Sequence, residues 1–422
     1  MVARPAPGTA ALVAGVALLV TTLASGVVLA PTSASSPSPA QSADGNASLL
    51  LGVQGVGSYS ADGYVARVEN DSVAWRESTP GTYFGVTRLD NGSVLAGFLT
   101  GGYERCGPYE PPCSRTGFRI IDPSPTPEVV AEWSFPVRNH VASEVHDVEP
   151  LPGGGFLVAD MEHERVLVVE GGEVTWEWNA STRYDPPADP TKVDWLHIND
   201  VDRIGDGRYL VSVRNANQIL ILQRGEGVVE VINEDRDGDG VGDPSVINHQ
   251  HNPQWLGEGA VLVADSENHR VVELHRGDDG RWRPAWTLTA AGGTAFDWPR
   301  DADRLPNGHT LITDTRNSRV VEVNETGHVF DSYTMNYRHL PYEADRLPYG
   351  EPVGGPRYGI GSGTAEATGI PLLTPAHRLL SAAVRVPRWY TELHLLSTVL
   401  SLCLVGVGGV LRWRSSSDAD GR

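Results

Sequence analysis

The sequence predicts an all-β protein, a six-bladed β-propeller set between two apolar end segments. Two observations lead there. A unit of about fifty residues recurs through the middle of the chain, and 47 glycines and 30 prolines among 422 residues suit short strands joined by tight turns.

Four copies of the unit align. They are HDVEPLPGGGFLVADMEHERVLVV from His146, NDVDRIGDGRYLVSVRNANQILIL from Asn199, HNPQWLGEGAVLVADSENHRVVEL from His251 and RDADRLPNGHTLITDTRNSRVVEV from Arg300. A weaker copy starts near Val86. Each reads as strand, glycine turn, apolar strand, polar turn, apolar strand, often with a fourth strand such as EVTWEWN. That is a four-stranded antiparallel blade, which buries both faces only by stacking on its neighbours. Residues 48–78 and 82–121 supply two further blades, so the count is six, with seven the alternative. PYEADRLP at 341–348 echoes the opening strand and is expected to complete the closing blade. A solenoid or sandwich does not account for the blade-length period.

The ends organise the rest. Residues 1–30 carry an uncharged run after Arg4, a signal peptide or N-terminal anchor. A Pro/Ser-rich linker spans 31–47, the propeller 48–360 and a juxtamembrane linker 361–391. Residues 392–411 fit a transmembrane helix, and the tail 412–422 opens with Arg412 and Arg414, which places it in the cytoplasm. The protein is thus expected at the cell membrane with the propeller extracytoplasmic. Cys106 and Cys113 flank GPYEPP and are expected to form a disulfide, as an oxidising location allows.

The formal net charge is −20, with a single lysine, Lys192. Such a surface suits work in high salt, where carboxylates stay solvated and their repulsion is screened; an ordinary acidic protein is the alternative. No basic stripe exists to meet phosphates, so nucleic acid is not an expected partner.

In three copies an Asp precedes an Arg by five residues: Asp160/Arg165, Asp265/Arg270 and Asp314/Arg319. A turn-capping ion pair in each blade is expected. The second copy breaks the rule with Val213 and Gln218, and carries Arg214 beside Val213. A local break in a consistent pattern marks a place to look for function.

Aligned on the turn glycine, His146, Asn199, His251 and Arg300 fall in one column at the start of the innermost strands. Two residues earlier stand Glu144, His197, His249 and Trp298, expected on the same side because strand residues i and i+2 share a face. One residue later come Asp147, Asp200, Asn252 and Asp301, expected to bond blade to blade. A purely structural column repeats one residue, whereas this one varies polar groups at a convergent position, as a binding or catalytic site does. GxxxxGK[ST], GxGxxG and GxSxG are all missing, so nucleotide-donor and serine-hydrolase chemistry lack support. Histidine with arginine suits transfer of an anionic sulfuryl or phosphoryl group.

The stretches VHDVEPLPGG (145–154), DWLHINDVDR (194–203) with SVR ending at Arg214, and NHQHNPQWL (248–256) resemble the PAPS-independent arylsulfate sulfotransferases. The resemblance spans roughly residues 48–350 and implies a six-bladed propeller that moves a sulfuryl group from an aryl sulfate to a phenolic acceptor. It implies His251 as the nucleophile that becomes sulfo-histidine. His197, His146 and Arg214 would bind the sulfuryl oxygens and assist proton transfer. Asn199, His249 and Arg300 complete the expected substrate-binding set, and no cofactor is required for catalysis. The chain departs from the better-known members in lacking a separate N-terminal β domain, in its C-terminal anchor and in His249.

Two other functions stand beside this one: a surface propeller that binds or senses without turnover, and a metal-dependent lyase or lactonase with His146, His197 and His249 or His251 as ligands. Chelator sensitivity separates the latter from a transferase. Finally, EDRDGDGVGD sets Asp235, Asp237, Asp239 and Asp243 around Gly240, which reads as a structural calcium loop or as an acidic turn between blades.

Overall fold

The computed structural model describes residues 7–29, 48–55, 62–138, 143–336, 339–359, 361–362, 373–383, 386 and 390–420. The predicted linker at 31–47 lies outside them. Residues 1–38 with 368–422 form one compact unit, and residues 39–367 form another.

The larger unit is the six-bladed propeller. Blade two holds Thr82–Arg88, Val94–Tyr103, Cys113–Asp122 and Glu128–Val137 in that order from the axis outward. Blades three to six follow the same order, with innermost strands Val148–Pro150, Ile198–Gly205, His251–Gly257 and Asp301–Arg304. Blade one closes the ring from both ends of the domain. Its inner strand is Leu340–Leu347, paired antiparallel with Ser48–Gln54. The echo of the repeat at 341–348 is therefore the closing strand. One addition was not legible: Gly361–Ser362 pairs in parallel with the outer strand Trp282–Leu288 of blade five, so the propeller reaches just past 360.

The apolar strands of the repeat pack blade against blade. Leu157, Val166 and Val168 of blade three meet Tyr209, Val211 and Leu220 of blade four. Equivalent clusters fill the other interfaces, as between blades four and five through Ile219, Ile221, Val261 and Val272. The expected ion pairs form at 2.7 Å (Asp160–Arg165), 2.6 Å (Asp265–Arg270) and 2.7 Å (Asp314–Arg319), each with a fully buried carboxylate. Cys106 and Cys113 are disulfide-bonded, with Cα atoms 5.7 Å apart.

The +1 column fastens the inner strands together, as its residue types suggest. Asp147 accepts from the main-chain N–H of Val201, Asp301 from Ala344 and Glu343 from Val86, each in the next blade round. Blade five interrupts the series because Pro253 has no N–H to offer Asp200.

In the smaller unit, α1 (Pro7–Leu29) packs against α3 (Glu392–Asp420), and α2 (Leu373–Ala383) lies within the segment expected to be a linker. The contact is close because Gly8, Gly15 and Gly408 carry no side chain there; a Cβ on Gly15 would stand 2.9 Å from Ser401 O. Glu392–Arg414 is long and apolar enough to cross a membrane. The helix continues through the expected tail to Asp420, since nothing after Arg412 breaks it.

Candidate active site

The inner strands begin at one mouth of the central channel, and a side chain at or near the start of each forms a ring. The ring is Phe84, His146, Asn199, His251, Arg300 and Tyr342, one from each blade. Phe84 stacks on His146 at 4.8 Å between ring centroids, Tyr342 meets His146 at 5.3 Å and His251 at 6.1 Å, and the Arg300 guanidinium lies 4.8 Å over Tyr342. Bulges aim these side chains. The strand registers shift at Tyr342, Phe84–Gly85 and Asn199, and directly after His251.

The residues two before the ring converge for a different reason from the one expected. His197, His249 and Trp298 are not extended; they adopt left-handed backbone with φ of 56°, 47° and 56°. Their N–H groups are tied to the preceding blade, at Glu164 (2.7 Å), Asn217 (2.9 Å) and His269 (3.1 Å). The turn swings His197 back over His146 (5.0 Å) and Trp298 back over His251 (5.7 Å). Holding bulky residues there costs of order 1 kcal/mol each, which the side-chain anchors offset.

Hydrogen bonds fix the proton positions on all three central histidines. Ser266 Oγ donates its one proton to Pro299 O at 2.7 Å, so it can only accept at His251 Nδ1, 2.8 Å away. His251 therefore holds its proton on Nδ1 and turns a lone pair on Nε2 toward the channel. His197 Nδ1 donates to Asp194 Oδ1 at 2.7 Å and likewise frees Nε2. His146 differs. Tyr342 donates to its Nδ1 at 3.0 Å, and its Nε2 faces Glu144 Oε2 across 3.7 Å, longer than a hydrogen bond.

Electrostatics keep these rings neutral. Burial first, then Arg300 and Arg214, push His251 well below the ordinary imidazole value. Burial lowers His197 to about 4 against the opposing pull of Asp194. Tyr342 is pushed well above 10 by burial and stays a phenol. Two arginines supply the positive charge. Arg300, lowered to about 10 mainly by burial, donates to Gln54 and lies 4.2 Å from the Trp298 ring centroid. Arg214 opens a 3₁₀ turn and bonds Asn215 Oδ1 at 2.8 Å. Buried Nε atoms on both arginines have no protein partner.

Of the residues predicted for the site, His251, His197, His146, Arg214 and Arg300 gather here. Asn199 is fully buried; its amide nitrogen donates to Gln250 O at 2.9 Å, fastening the strand that carries His251, while its Oδ1 has no partner. His249 sits half-buried with Nδ1 at Asn248 and joins no ring contact. Asp235, Asp237 and Asp239 bring their oxygens within 4.8 Å of one another, while the Asp243 carboxylate caps Ser245 N instead. Tyr342, Ser266 and Asp194 were missed. Tyr342 was readable: in YEADRLP it occupies the column of Arg300 in RDADRLP.

No protein-family model matches the chain, and no curated protein matches it. Among solved structures, a protein of unknown function from Bacteroides caccae is 15% identical over 72% of this chain and 99% of its own, with a TM-score of 0.51. That likeness concerns the fold alone. The periplasmic gluconolactonase PpgL of Pseudomonas aeruginosa is 14% identical over 71% of this chain and 99% of its own, TM-score 0.40. An inactive virginiamycin B lyase of Staphylococcus aureus is 12% identical over 47% of this chain and 58% of its own, TM-score 0.32.

Proposed function

We propose that this propeller transfers a sulfuryl group from an aryl sulfate to a phenolic acceptor through His251. The observation that carries the reading is the Nε2 lone pair of His251, held open by Ser266 inside a pocket with two arginines. His251 Nε2 attacks sulfur and forms an N–S bond as the aryl O–S bond breaks. The electron pair leaves with the aryl oxygen, and Arg300 and Arg214 stabilise the growing negative charge. No proton need leave His251, because Nδ1–H stays on Ser266. In the second half the acceptor phenol gives its proton to His197 Nε2, its oxygen attacks sulfur, and the N–S pair returns to His251. Tyr342 and Glu144 hold His146 as a wall of the pocket.

The disulfide, the apolar helix and Arg412 and Arg414 support a propeller outside the cytoplasm, and the single lysine supports a high-salt setting.

The test is turnover of a chromogenic aryl sulfate with added phenol, in high salt, by the detergent-solubilised full chain and its His251→Ala variant. Expected are release of phenolate by the parent alone, ping-pong kinetics and, on quenching without acceptor, a mass gain of one SO₃ on the peptide holding His251. A parent that binds aryl sulfates without turnover would overturn the transferase and leave a binding module.

A further inference from the structure

Below the histidine ring the character of the channel changes. The third residue after each ring position is Thr87, Glu149, Asp202, Gln254, Asp303 and Asp345 in blades two to six and then one. Strand geometry places these about 10 Å deeper than the ring. Four of the six are acidic. Asp202 Oδ2, Asp303 Oδ1 and both oxygens of Asp345 have no partner, although these residues are only 7%, 1% and 1% exposed. Asp200, 2% exposed, adds another unpartnered oxygen from the row above.

These carboxyls face one another across the axis. Asp303 on blade six repels Glu149 on blade three, diametrically opposite, and Asp202 on blade four repels Asp301 on blade six. The neighbouring arginines turn outward: Arg304 pairs with Glu273 at 3.0 Å, and Arg346 with Glu322 and Asp331 at 2.8 Å. The loop after the closing strand covers the lower mouth, where Gln254 donates to Pro352 O at 2.9 Å and Gly354 N to Trp255 O at 2.7 Å. That loop contributes a further acid, Glu351, which repels Asp202 and Asp303.

We propose that this lower chamber binds a hydrated divalent cation, held through its water by Asp202, Asp303 and Asp345 with Asp200 and Glu149. The chamber offers such an ion buried acceptor oxygens without partners, and the neighbouring arginines Arg304 and Arg346 pair elsewhere. The spacing selects the hydrated form. Among the described residues only Asp235, Asp237 and Asp239 bring three such oxygens within 4.8 Å of one another, so the channel acids stand too far apart to share a bare ion. Magnesium, which dehydrates reluctantly and keeps several waters, fits better than calcium. The ion sits a storey below His251, braces the inner strands and takes no part in group transfer.

The test uses the full chain in detergent, stripped with chelator and dialysed, then titrated with MgCl₂ at fixed ionic strength while tryptophan fluorescence follows thermal unfolding. Expected is a saturable rise in Tm of about 5 °C at a hundred times Kd. The rise should vanish in Asp303→Asn/Asp345→Asn and persist in the loop variant Asp235→Ala/Asp237→Ala/Asp239→Ala. Asparagine preserves shape where no hydrogen bond is lost, and circular dichroism checks that the variant folds. Should it not fold, Mn²⁺ relaxation of water protons on the parent and the loop variant decides the matter. Equal binding of one ion by both supports the chamber. No Tm rise in the parent, or binding lost with the loop variant alone, would overturn it. None of these readouts depends on sulfuryl transfer.

Discussion

Replacing Ser266 with alanine tests the reasoning about His251 most directly. Ser266 is fully buried, and its hydroxyl is the acceptor for Nδ1–H at 2.8 Å. Without it the imidazole has two poor choices. It keeps its proton on Nδ1 and leaves a buried donor unpaired, at a cost of about 1–3 kcal/mol. Otherwise it moves the proton to Nε2 and loses the lone pair that the proposed transfer requires. The reactive Nδ1–H tautomer is thus disfavoured by that much relative to the Nε2–H tautomer, which corresponds to a fall in kcat of roughly 10- to 100-fold. KM should barely move, because Ser266 sits behind the ring and touches no substrate. The assay is initial rate against aryl sulfate concentration, with ¹⁵N NMR of labelled histidine to read the tautomer. An unchanged kcat, or an Nε2–H tautomer already present in the parent, would refute the argument.

Arg300→Gln removes a cation that holds His251 down. The acidic limb of kcat/KM in the parent should fall below pH 6.5, since a neutral histidine is required and its folded value is depressed; the variant's limb should move to higher pH. For His197 the stability contribution is complete above 6.5, the unfolded value, and is lost as pH falls through about 4, which chemical denaturation at pH 7 and pH 5 would register. Tyr342→Phe leaves His146 Nδ1 without its donor and should lower kcat about tenfold, with a loss of about 1 kcal/mol in unfolding free energy. Glu273→Gln strands the Arg304 guanidinium in a fully buried pair, far from the ring; calorimetry should show a loss of about 3–5 kcal/mol, or about 6–10 °C in Tm, with turnover per folded molecule unchanged.

The blades were legible because each repeats the same alternation of apolar strand and glycine turn, and because a ring of blades must be closed by some strand resembling the others. Leu340–Leu347 carried that signal in YEADRLP. The His, Asn, His, Arg column was legible for the converse reason: it varied where structure alone would repeat. What escaped reading is what depends on local backbone. The left-handed turn at His197, His249 and Trp298 has no glycine to announce it; its cause is an anchor in the previous blade, Glu164, Asn217 or His269. The role of Ser266 was hidden because it follows the repeating Asp265 and looked like part of the turn. Yet Ser266 aligns with Arg214, Met161 and Thr315, a second column as varied as the first. Asp243 was grouped with its neighbours by sequence alone, and the bend at Pro244 turned its carboxylate to Ser245.

The closure of blade one has a kinetic consequence. Tyr342 enters the ring on the strand that closes the circle of blades and pairs with the propeller's first strand, Ser48–Gln54. Until those two meet, His146 lacks its donor, Arg300 lacks one of the two rings it lies over, and the wall between His146 and His251 is open. A chain whose closing strand has not yet emerged thus carries its three central histidines but no complete ring. Any lesion that frees the closing strand should open the ring around His251 well before the blades themselves come apart.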